Sequence, residues 1–287
     1  MESKRQPTET VGRPTARRLT RWGSLALALV FLLPFLLFAL APGVFAPYDP
    51  LKTAVAERLQ PPSSQHWFGT DELGRDVYSR VVFGTRDSLV SASLTIALAC
   101  TIGVMGGVVA GYVGGWADRI IMTAADMVLA FPRIILAMAV AAALGSGIRN
   151  AMLAMAAVWW PVYARLMRGL TLQMKQEEFV LASYAIGGSG LHIIRKHILP
   201  NTLSSIVIRI SLDLGFAVLL LASLSFIGLG ASAPMPEWGT MVSLGRIYFL
   251  TEPWIGFFPA LAITLVVIGT TLAGDALNDL WRPARGG

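Results

Sequence analysis

The chain alternates long apolar stretches with short polar segments. A helix needs about 20 predominantly apolar residues to cross roughly 30 Å of hydrocarbon. Six stretches meet this requirement, at residues 23–45, 88–112, 118–144, 150–170, 202–229 and 254–280. The pattern therefore predicts an all-α fold, a polytopic integral membrane bundle of six transmembrane helices.

Composition agrees with this interpretation. Hydrophobic residues make up 55% of the chain and charged residues 14%, and the mean hydropathy is +0.63, far from the values of soluble domains. The single cysteine, Cys100, excludes a disulfide framework within the chain. Its place in the second span favours a small apolar packing residue.

Lysine and arginine set the orientation, because basic residues are retained on the cytoplasmic side. They concentrate in residues 1–22, at Arg119, and in residues 165–201 and 282–287, and the net charge is +6. We therefore expect both termini to be cytoplasmic, with basic tails at 1–22 and 282–287. Span 23–45 follows a basic stretch, as in a signal peptide, but its length and the five later spans favour a retained anchor.

The outer segments carry further structural signals. Residues 46–87 form an external segment, and the amphipathic pattern from Val77 onward predicts an interfacial helix at its end. Residues 231–253 hold several helix breakers, which predict a re-entrant or surface-lying element. In the second span, glycines at every fourth residue, Gly103, Gly107, Gly111 and Gly115, predict close helix packing, either within this subunit or against a partner.

The segment 178–201 is a polar island between two spans. Residues 178–186 start with an acidic group and consist of helix formers. Gly187, Gly188 and Gly190 interrupt this helix, and a basic second piece follows, which we expect Pro200 to end. A polar two-part motif of this kind predicts a docking surface on the cytoplasmic side.

Several ionisable residues lie inside predicted spans, where charge is costly, and four of them are candidates for a common role. Asp126 and Arg133 are seven residues apart, which places them on one helical face beside Pro132. Arg209 and Asp213, four apart, are expected to pair. These residues either hold helices together or line a translocation path.

Several kinds of chemistry are missing from the sequence. No lysine follows a glycine, so the chain lacks a Gly-x-x-x-x-Gly-Lys-Ser/Thr nucleotide loop, and any ATP must be bound by a partner. The three histidines form no evident metal site with Cys100. Gly187-Gly188-Ser189-Gly190 is superficially similar to an intramembrane serine protease motif, but its serine lies in the basic loop. A proton-driven carrier, with Asp126 as its carboxylate, is the remaining alternative.

The segment 178–201 resembles the cytoplasmic loop of ABC importer permeases, Glu-Ala-Ala, three residues, glycine, nine residues, Ile-x-Leu-Pro. Ala182, Gly187, Leu199 and Pro200 match, whereas Leu181 replaces the glutamate. Other segments resemble the second permease subunit of the peptide and nickel branch: Gly69-Thr70-Asp71, Gly74-Arg75-Asp76, Ala130-Phe131-Pro132, Tyr163-Ala164-Arg165, Phe226-Ile227-Gly228-Leu229-Gly230, Pro236-Glu237-Trp238-Gly239-Thr240-Met241 and Gly274-Asp275-Ala276-Leu277.

This resemblance implies a non-catalytic transport subunit in the bacterial inner membrane, with an importer transmembrane domain at 88–281 and a coupling loop at 171–201. Implied partners are a homologous permease, two ATPase subunits that bind ATP and Mg²⁺, an extracytoplasmic substrate-binding protein and membrane lipid, but no nucleic acid. This chain would bind no cofactor or metal itself. Di- or oligopeptides are the expected cargo, and nickel or a metal chelate is the alternative.

The resemblance also implies roles for single residues. ATPase coupling is expected of Glu178, Phe179, Ala182, Ser183, Gly187, Arg195, Leu199 and Pro200. The receptor protein is expected to face Asp71, Arg75, Asp76, Glu237 and Trp238. The translocation path is assigned to Asp126, Arg133, Arg209 and Asp213.

Overall fold

A computed structural model describes residues 14–281, and every regular element in this range is helical. The α-helices are α1 Pro14–Leu40, α2 Pro42–Phe45, α3 Val77–Val113, α4 Gly115–Leu129, α5 Arg133–Leu144, α6 Ile148–Met174, α7 Glu178–Ala185, α8 Gly190–Ile193, α9 Leu199–Phe226, α10 Trp238–Gly245 and α11 Trp254–Trp281. Residues 1–13 and the predicted tail 282–287 lie outside this range. The predicted tail 1–22 is partly described, because α1 begins at Pro14.

Each predicted span coincides with one or two of these helices. Length and composition alone qualify three continuous helices to cross a membrane, Val77–Val113, Gly190–Phe226 and Trp254–Trp281. The bent pair α4 and α5 makes a fourth if it is one span. The described apolar part of α1, Leu25–Leu40, is shorter, and α6 carries two arginines in its second half. The helical class is confirmed, whereas the count of six remains a prediction.

The interfacial helix predicted at the end of 46–87 is not a separate element. α3 runs without interruption for 37 residues from Val77, and Asp76 caps it by accepting a hydrogen bond from the Ser79 backbone N–H at 2.7 Å. Ser79 and Arg80, on the polar side of the amphipathic pattern, are buried. The prediction was wrong because loop residues cover the polar side of this first turn.

The predicted span 118–144 is broken in the middle. α4 ends at Leu129 and α5 begins at Arg133, and their axes differ by 95°. Pro132 cannot donate a backbone hydrogen bond, and it disfavours helical geometry in the residue before it. Pro132 therefore lies at the break, and the predicted span 118–144 is two helices rather than one.

The glycine stripe joins α3 to α6. A Cβ atom added at Gly107 would lie 2.8 Å from the Met167 Cβ, and one at Gly111 would lie 2.8 Å from the Thr171 Cβ. A Cβ atom added at Gly103 would likewise come too close to Tyr163. One added at Gly115, the first residue of α4, would meet no atom within 4 Å. Three of the four glycines thus allow close packing inside this subunit.

Replacing Gly107 by leucine should separate α3 from α6. Overpacking of this kind typically costs about 1–3 kcal/mol, and we expect the detergent-solubilised protein to unfold roughly 5 °C lower. Gly106→Leu is the matched control, because the nearest atom to an added Cβ there is Ile121 Cγ2 at 3.6 Å. Equal unfolding temperatures for the two variants would contradict the packing described.

Two hydrophobic clusters hold the bundle. The larger one contains Phe35, Ile96, Trp159, Leu221 and Trp238, from α1, α3, α6, α9 and α10. The smaller one lies at the opposite end of α3, where Val108, Met167, Val180, Ile193, Ile198 and Ile206 meet. The second cluster therefore joins the loop 171–201 to three long helices.

Candidate functional site

The loop 171–201 forms the two helical pieces that the sequence predicts. α7 spans Glu178–Ala185, and the chain turns at Gly187, whose φ is +85°, a conformation that glycine adopts without steric cost. Ser189 then caps α8 by accepting a hydrogen bond from the His192 backbone N–H at 3.4 Å. The predicted helix and glycine break are thus both present.

The expected stop at Pro200 is not present. α8 passes through a π-helical turn, Ile194–Ile198, directly into α9, and the whole segment Gly190–Phe226 is one helix. Pro200 occupies the first turn of α9, where a missing backbone N–H is tolerated. Asn201, the next residue, donates from Nδ2 to the His197 carbonyl at 2.6 Å. The prediction failed because the π-turn accommodates the proline.

α7 has one buried and one exposed side. Val180 and Ser183 face the protein, with 0% and 5% of their surfaces exposed. Phe179, Leu181 and Ile186 are exposed by 44%, 52% and 87%. Apolar side chains on a short loop helix that contact solvent in the isolated chain mark an interaction surface. We call this surface, formed by Phe179, Leu181, Ala182 and Ile186, the α7 face.

The structure divides the predicted coupling residues into two groups. Ser183 is buried and Leu199 is partly buried, so they hold the loop in place. The remaining residues are exposed and available to a partner: Glu178, Phe179, Ala182, Gly187, Arg195 and Pro200. Two residues of the α7 face were not predicted for this set: Leu181, noted only as a departure from the family pattern, and Ile186.

The loop is fixed to the end of α3 by polar as well as apolar contacts. The Lys175 ammonium donates to the Tyr112 carbonyl at 2.9 Å and lies 5.4 Å from the centre of the Tyr112 ring. The Tyr112 and Tyr184 rings stack with centroids 6.4 Å apart. Burial, followed by the neighbouring Tyr112, raises the pKa of Tyr184 to about 12, so this phenol stays neutral at physiological pH.

Charged residues of α4 and α6 form two ion pairs. The Arg168 guanidinium binds Asp118 through two nitrogens, at 2.5 and 2.6 Å, and Arg165 binds Asp126. α4 and α6 run antiparallel, and both ion pairs lie on the same side of the contact between these two helices. The sequence did not predict these pairs, because the partners lie 39 and 50 residues apart and only the packing of α4 against α6 brings them together.

The predicted neighbourhood of Asp126 and Arg133 is wrong. The bend between α4 and α5 places Arg133 at the start of α5, where its guanidinium lies 5.8 Å from the centre of the Trp159 ring. The predicted pair on α9 is confirmed, because Arg209 Nε donates to Asp213 Oδ2 at 2.8 Å. Asp213 is buried with 3% of its surface exposed.

The residues assigned to the receptor side lie in the interior of a loop layer formed by residues 46–76 and 231–253. Asp71 accepts from the Arg75 Nε at 2.7 Å, and Arg80 donates to the Pro50 carbonyl at 3.0 Å. Asp76 accepts from His66 at 2.9 Å. All of these side chains are buried. A buried charge with hydrogen-bonded partners holds neighbouring segments together.

The second part of this layer is built on α10. Glu237 caps α10 by accepting from the Gly239 and Thr240 backbone N–H groups at 3.0 and 2.9 Å. Trp238 is fully buried and donates from Nε1 to the Val81 carbonyl at 3.0 Å. Asp71, Arg75, Asp76, Glu237 and Trp238, which the resemblance assigned to the receptor side, are therefore all buried in the isolated chain, because the fold turns these motifs inward, and their contact with a receptor stays a prediction.

Comparison with known proteins gives a consistent picture. Residues 103–286 match the family described as binding-protein-dependent transport system inner membrane component. The chain is 45% identical, over 91% of its length and 87% of the relative, to the probable D,D-dipeptide transport system permease protein DdpC of Escherichia coli K12.

Two further relatives cover most of the chain. The dipeptide transport system permease protein DppC of Alkalihalophilus pseudofirmus is 42% identical over 89% of this chain and 84% of that protein. The glutathione transport system permease protein GsiD of Pectobacterium atrosepticum is also 42% identical, over 93% of this chain and 89% of the relative.

Proposed function

The chain belongs to the family of binding-protein-dependent transport system inner membrane components, the permease subunits of ABC importers, and we propose that its cargo is di- or oligopeptides. The observation that carries this proposal is that relatives at 42–45% identity along most of the chain are permeases for dipeptides and glutathione. Glutathione is itself a short peptide. Nickel, the alternative cargo, has no comparable support.

The subunit transports and does not catalyse. ATPase subunits hydrolyse ATP for it, and a substrate-binding protein delivers the cargo, as the family description implies. We propose a complex of this chain, a homologous permease and two ATPases that bind ATP and Mg²⁺, with no cofactor on this chain. The complex lies in the bacterial inner membrane, and in our proposal both termini are cytoplasmic.

The α7 face is proposed to dock in a groove of one ATPase. Val180, on the opposite side of α7, packs with Val108 of α3, Met167 of α6 and Ile206 of α9. Packed interiors have little freedom to deform, so a displacement of α7 moves the ends of three long helices together. Closure of the ATP-bound ATPases thus becomes a rigid-body motion of the permease.

The charged residues within the helices are proposed to line the cargo's route. Asp126 is exposed by 59% at its side chain, and Arg209 by 35%. Exposed charge is unstable in hydrocarbon, which supports a position towards the other permease or an aqueous passage. Arg133 is exposed as well and lies over the Trp159 ring, and buried Asp213 holds Arg209 in place through their hydrogen bond. At the outer side, the loop layer as a whole is proposed to receive the binding protein.

Reconstitution tests this assignment. The chain is purified with its co-expressed permease and ATPases, placed in liposomes and supplied with the cognate binding protein. We expect ATP-driven accumulation of a radiolabelled dipeptide, with no accumulation when ATP is replaced by ADP. Uptake of nickel in place of every peptide in a di- to pentapeptide panel would contradict the proposed cargo.

A further inference from the structure

α4 has two chemically different sides and little packing. Ala125 is its only buried residue. Trp116, Ile120 and Met127 lie on one side, exposed by 75%, 63% and 65%. Asp118, Met122 and Asp126 follow each other at four-residue spacing on the other side, facing α6. A helix with an apolar and a charged side suits a boundary between lipid and an aqueous space.

The charged side of α4 borders a cleft of about 700 Å³. Charged and small residues line it: Gly115, Asp118, Arg119, Thr123, Asp126, Arg165, Arg168 and Gly169, with Met122. Pockets of this size hold small molecules. The cleft is too polar for a lipid tail, because a chain of methylene groups would leave these charges without water or a hydrogen-bonding partner.

The cleft carries more positive than negative charge. Two carboxylates, Asp118 and Asp126, face three guanidiniums, and each carboxylate is already paired with an arginine of α6. Among residues 14–281, Arg119 forms no ion pair, and its guanidinium lies 5.4 Å from the centre of the Trp116 ring. A guanidinium with free donors favours a carboxylate ligand.

The Asp126 carboxylate is a second binding group in the cleft, opposite in charge to the Arg119 guanidinium. Arg165 contacts its Oδ1 atom, and within the described part of the chain Oδ2 makes no hydrogen bond. Asp126 lies seven residues after Arg119, which corresponds to a rise of about 10 Å along the helix. An extended chain of two or three residues spans about 7–10 Å, so one short peptide can reach both side chains.

We propose that the cleft between α4 and α6 is a transit site that holds a short zwitterionic peptide by its ends. Arg119 binds the terminal carboxylate, and Oδ2 of Asp126 binds the terminal ammonium. The Asp118–Arg168 and Asp126–Arg165 pairs stay intact and keep the two binding groups in place. This inference rests on the proposed peptide cargo and adds to it a position and a means of recognition.

Cysteine protection in the complete reconstituted complex tests the site without involving the binding protein. Cys100 is replaced by serine, and Thr123→Cys places one thiol in the cleft. A membrane-impermeant methanethiosulfonate should label this thiol. Free Ala-Ala should slow the labelling at least fivefold, whereas N-acetyl-Ala-Ala-amide, which lacks both charges, should not. Adding Arg119→Gln should raise the half-protecting concentration of Ala-Ala at least tenfold, the loss expected for one charge-assisted hydrogen-bonded contact.

Arg149→Gln is the matched control, because Arg149 is an exposed arginine at the start of α6, outside the cleft, and it should leave protection unchanged.

A thiol at position 123 that does not react would mean that a partner subunit or lipid fills the cleft, and would overturn the proposal. Equal protection by the blocked peptide, or an unchanged half-protecting concentration in Arg119→Gln, would also overturn it. Dipeptide uptake without protection refutes only the transit site, whereas absence of peptide uptake refutes the proposed function.

Discussion

The double substitution Phe179→Asp with Leu181→Asp is expected to abolish ATP-driven peptide uptake while the subunit still folds and inserts. Burial of each of these side chains in a partner contributes about 1.5–3 kcal/mol, and two carboxylates in an apolar groove would oppose docking further. Both side chains are largely exposed in the isolated chain, so the subunit itself loses little stability. Uptake in proteoliposomes should fall at least a hundredfold, and the ATPases should no longer co-purify with the permease.

Gln173→Asp is the control for added charge on the same loop, because Gln173 is exposed at the end of α6 and lies outside the α7 face. We expect uptake by this variant within about twofold of wild type, as is usual for surface substitutions. Normal uptake by the double variant would show that the α7 face is not the docking surface.

The second large effect is expected at Trp238. Trp238→Ala removes a fully buried side chain that packs against Phe35, with ring centroids 5.7 Å apart, and it also removes the hydrogen bond to the Val81 carbonyl. Truncation of a buried tryptophan costs about 3–5 kcal/mol. The variant should unfold at least about 6 °C lower in detergent, since 1 kcal/mol corresponds to roughly 2–4 °C in a chain of this size.

Two further variants separate the effect of burying an aromatic side chain at position 238 from the effects of the hydrogen bond and of tryptophan truncation in general. Trp238→Phe keeps most of the apolar volume, and its unfolding temperature should lie between those of wild type and Trp238→Ala. Trp116→Ala truncates a side chain that is 75% exposed and should change the unfolding temperature by less than 2 °C. Similar losses in Trp238→Ala and Trp116→Ala would contradict the buried role of Trp238.

The helices could be predicted because they depend on local composition. Long apolar stretches located every long helix, and the glycines located the break after α7, since both features act within a few residues of themselves. The angle between α4 and α5 and the π-turn before Pro200 could not be predicted. Both depend on how neighbouring helices accept a proline, which the pattern along one helix does not contain.

The functional sites, like the helices, could be predicted only where the local sequence determines them. The exposed α7 face was expected, because a polar segment between spans has to contact something other than lipid. The burial of the loop-layer motifs could not be predicted, because a sequence motif does not state whether its side chains point inward. The α4–α6 pairs were missed because their partners are 39 and 50 residues apart, and only the antiparallel packing of these helices brings them together.

The most direct test of the central claim is site-specific photo-cross-linking from position 181 in the complete, transport-active complex. With p-benzoylphenylalanine in place of Leu181, we predict a cross-link to an ATPase subunit. The same group in place of Ile247, exposed by 77% in the loop layer, should give no ATPase cross-link. A transport-active complex in which position 181 cross-links to lipid or to the binding protein, and never to an ATPase, would contradict the account.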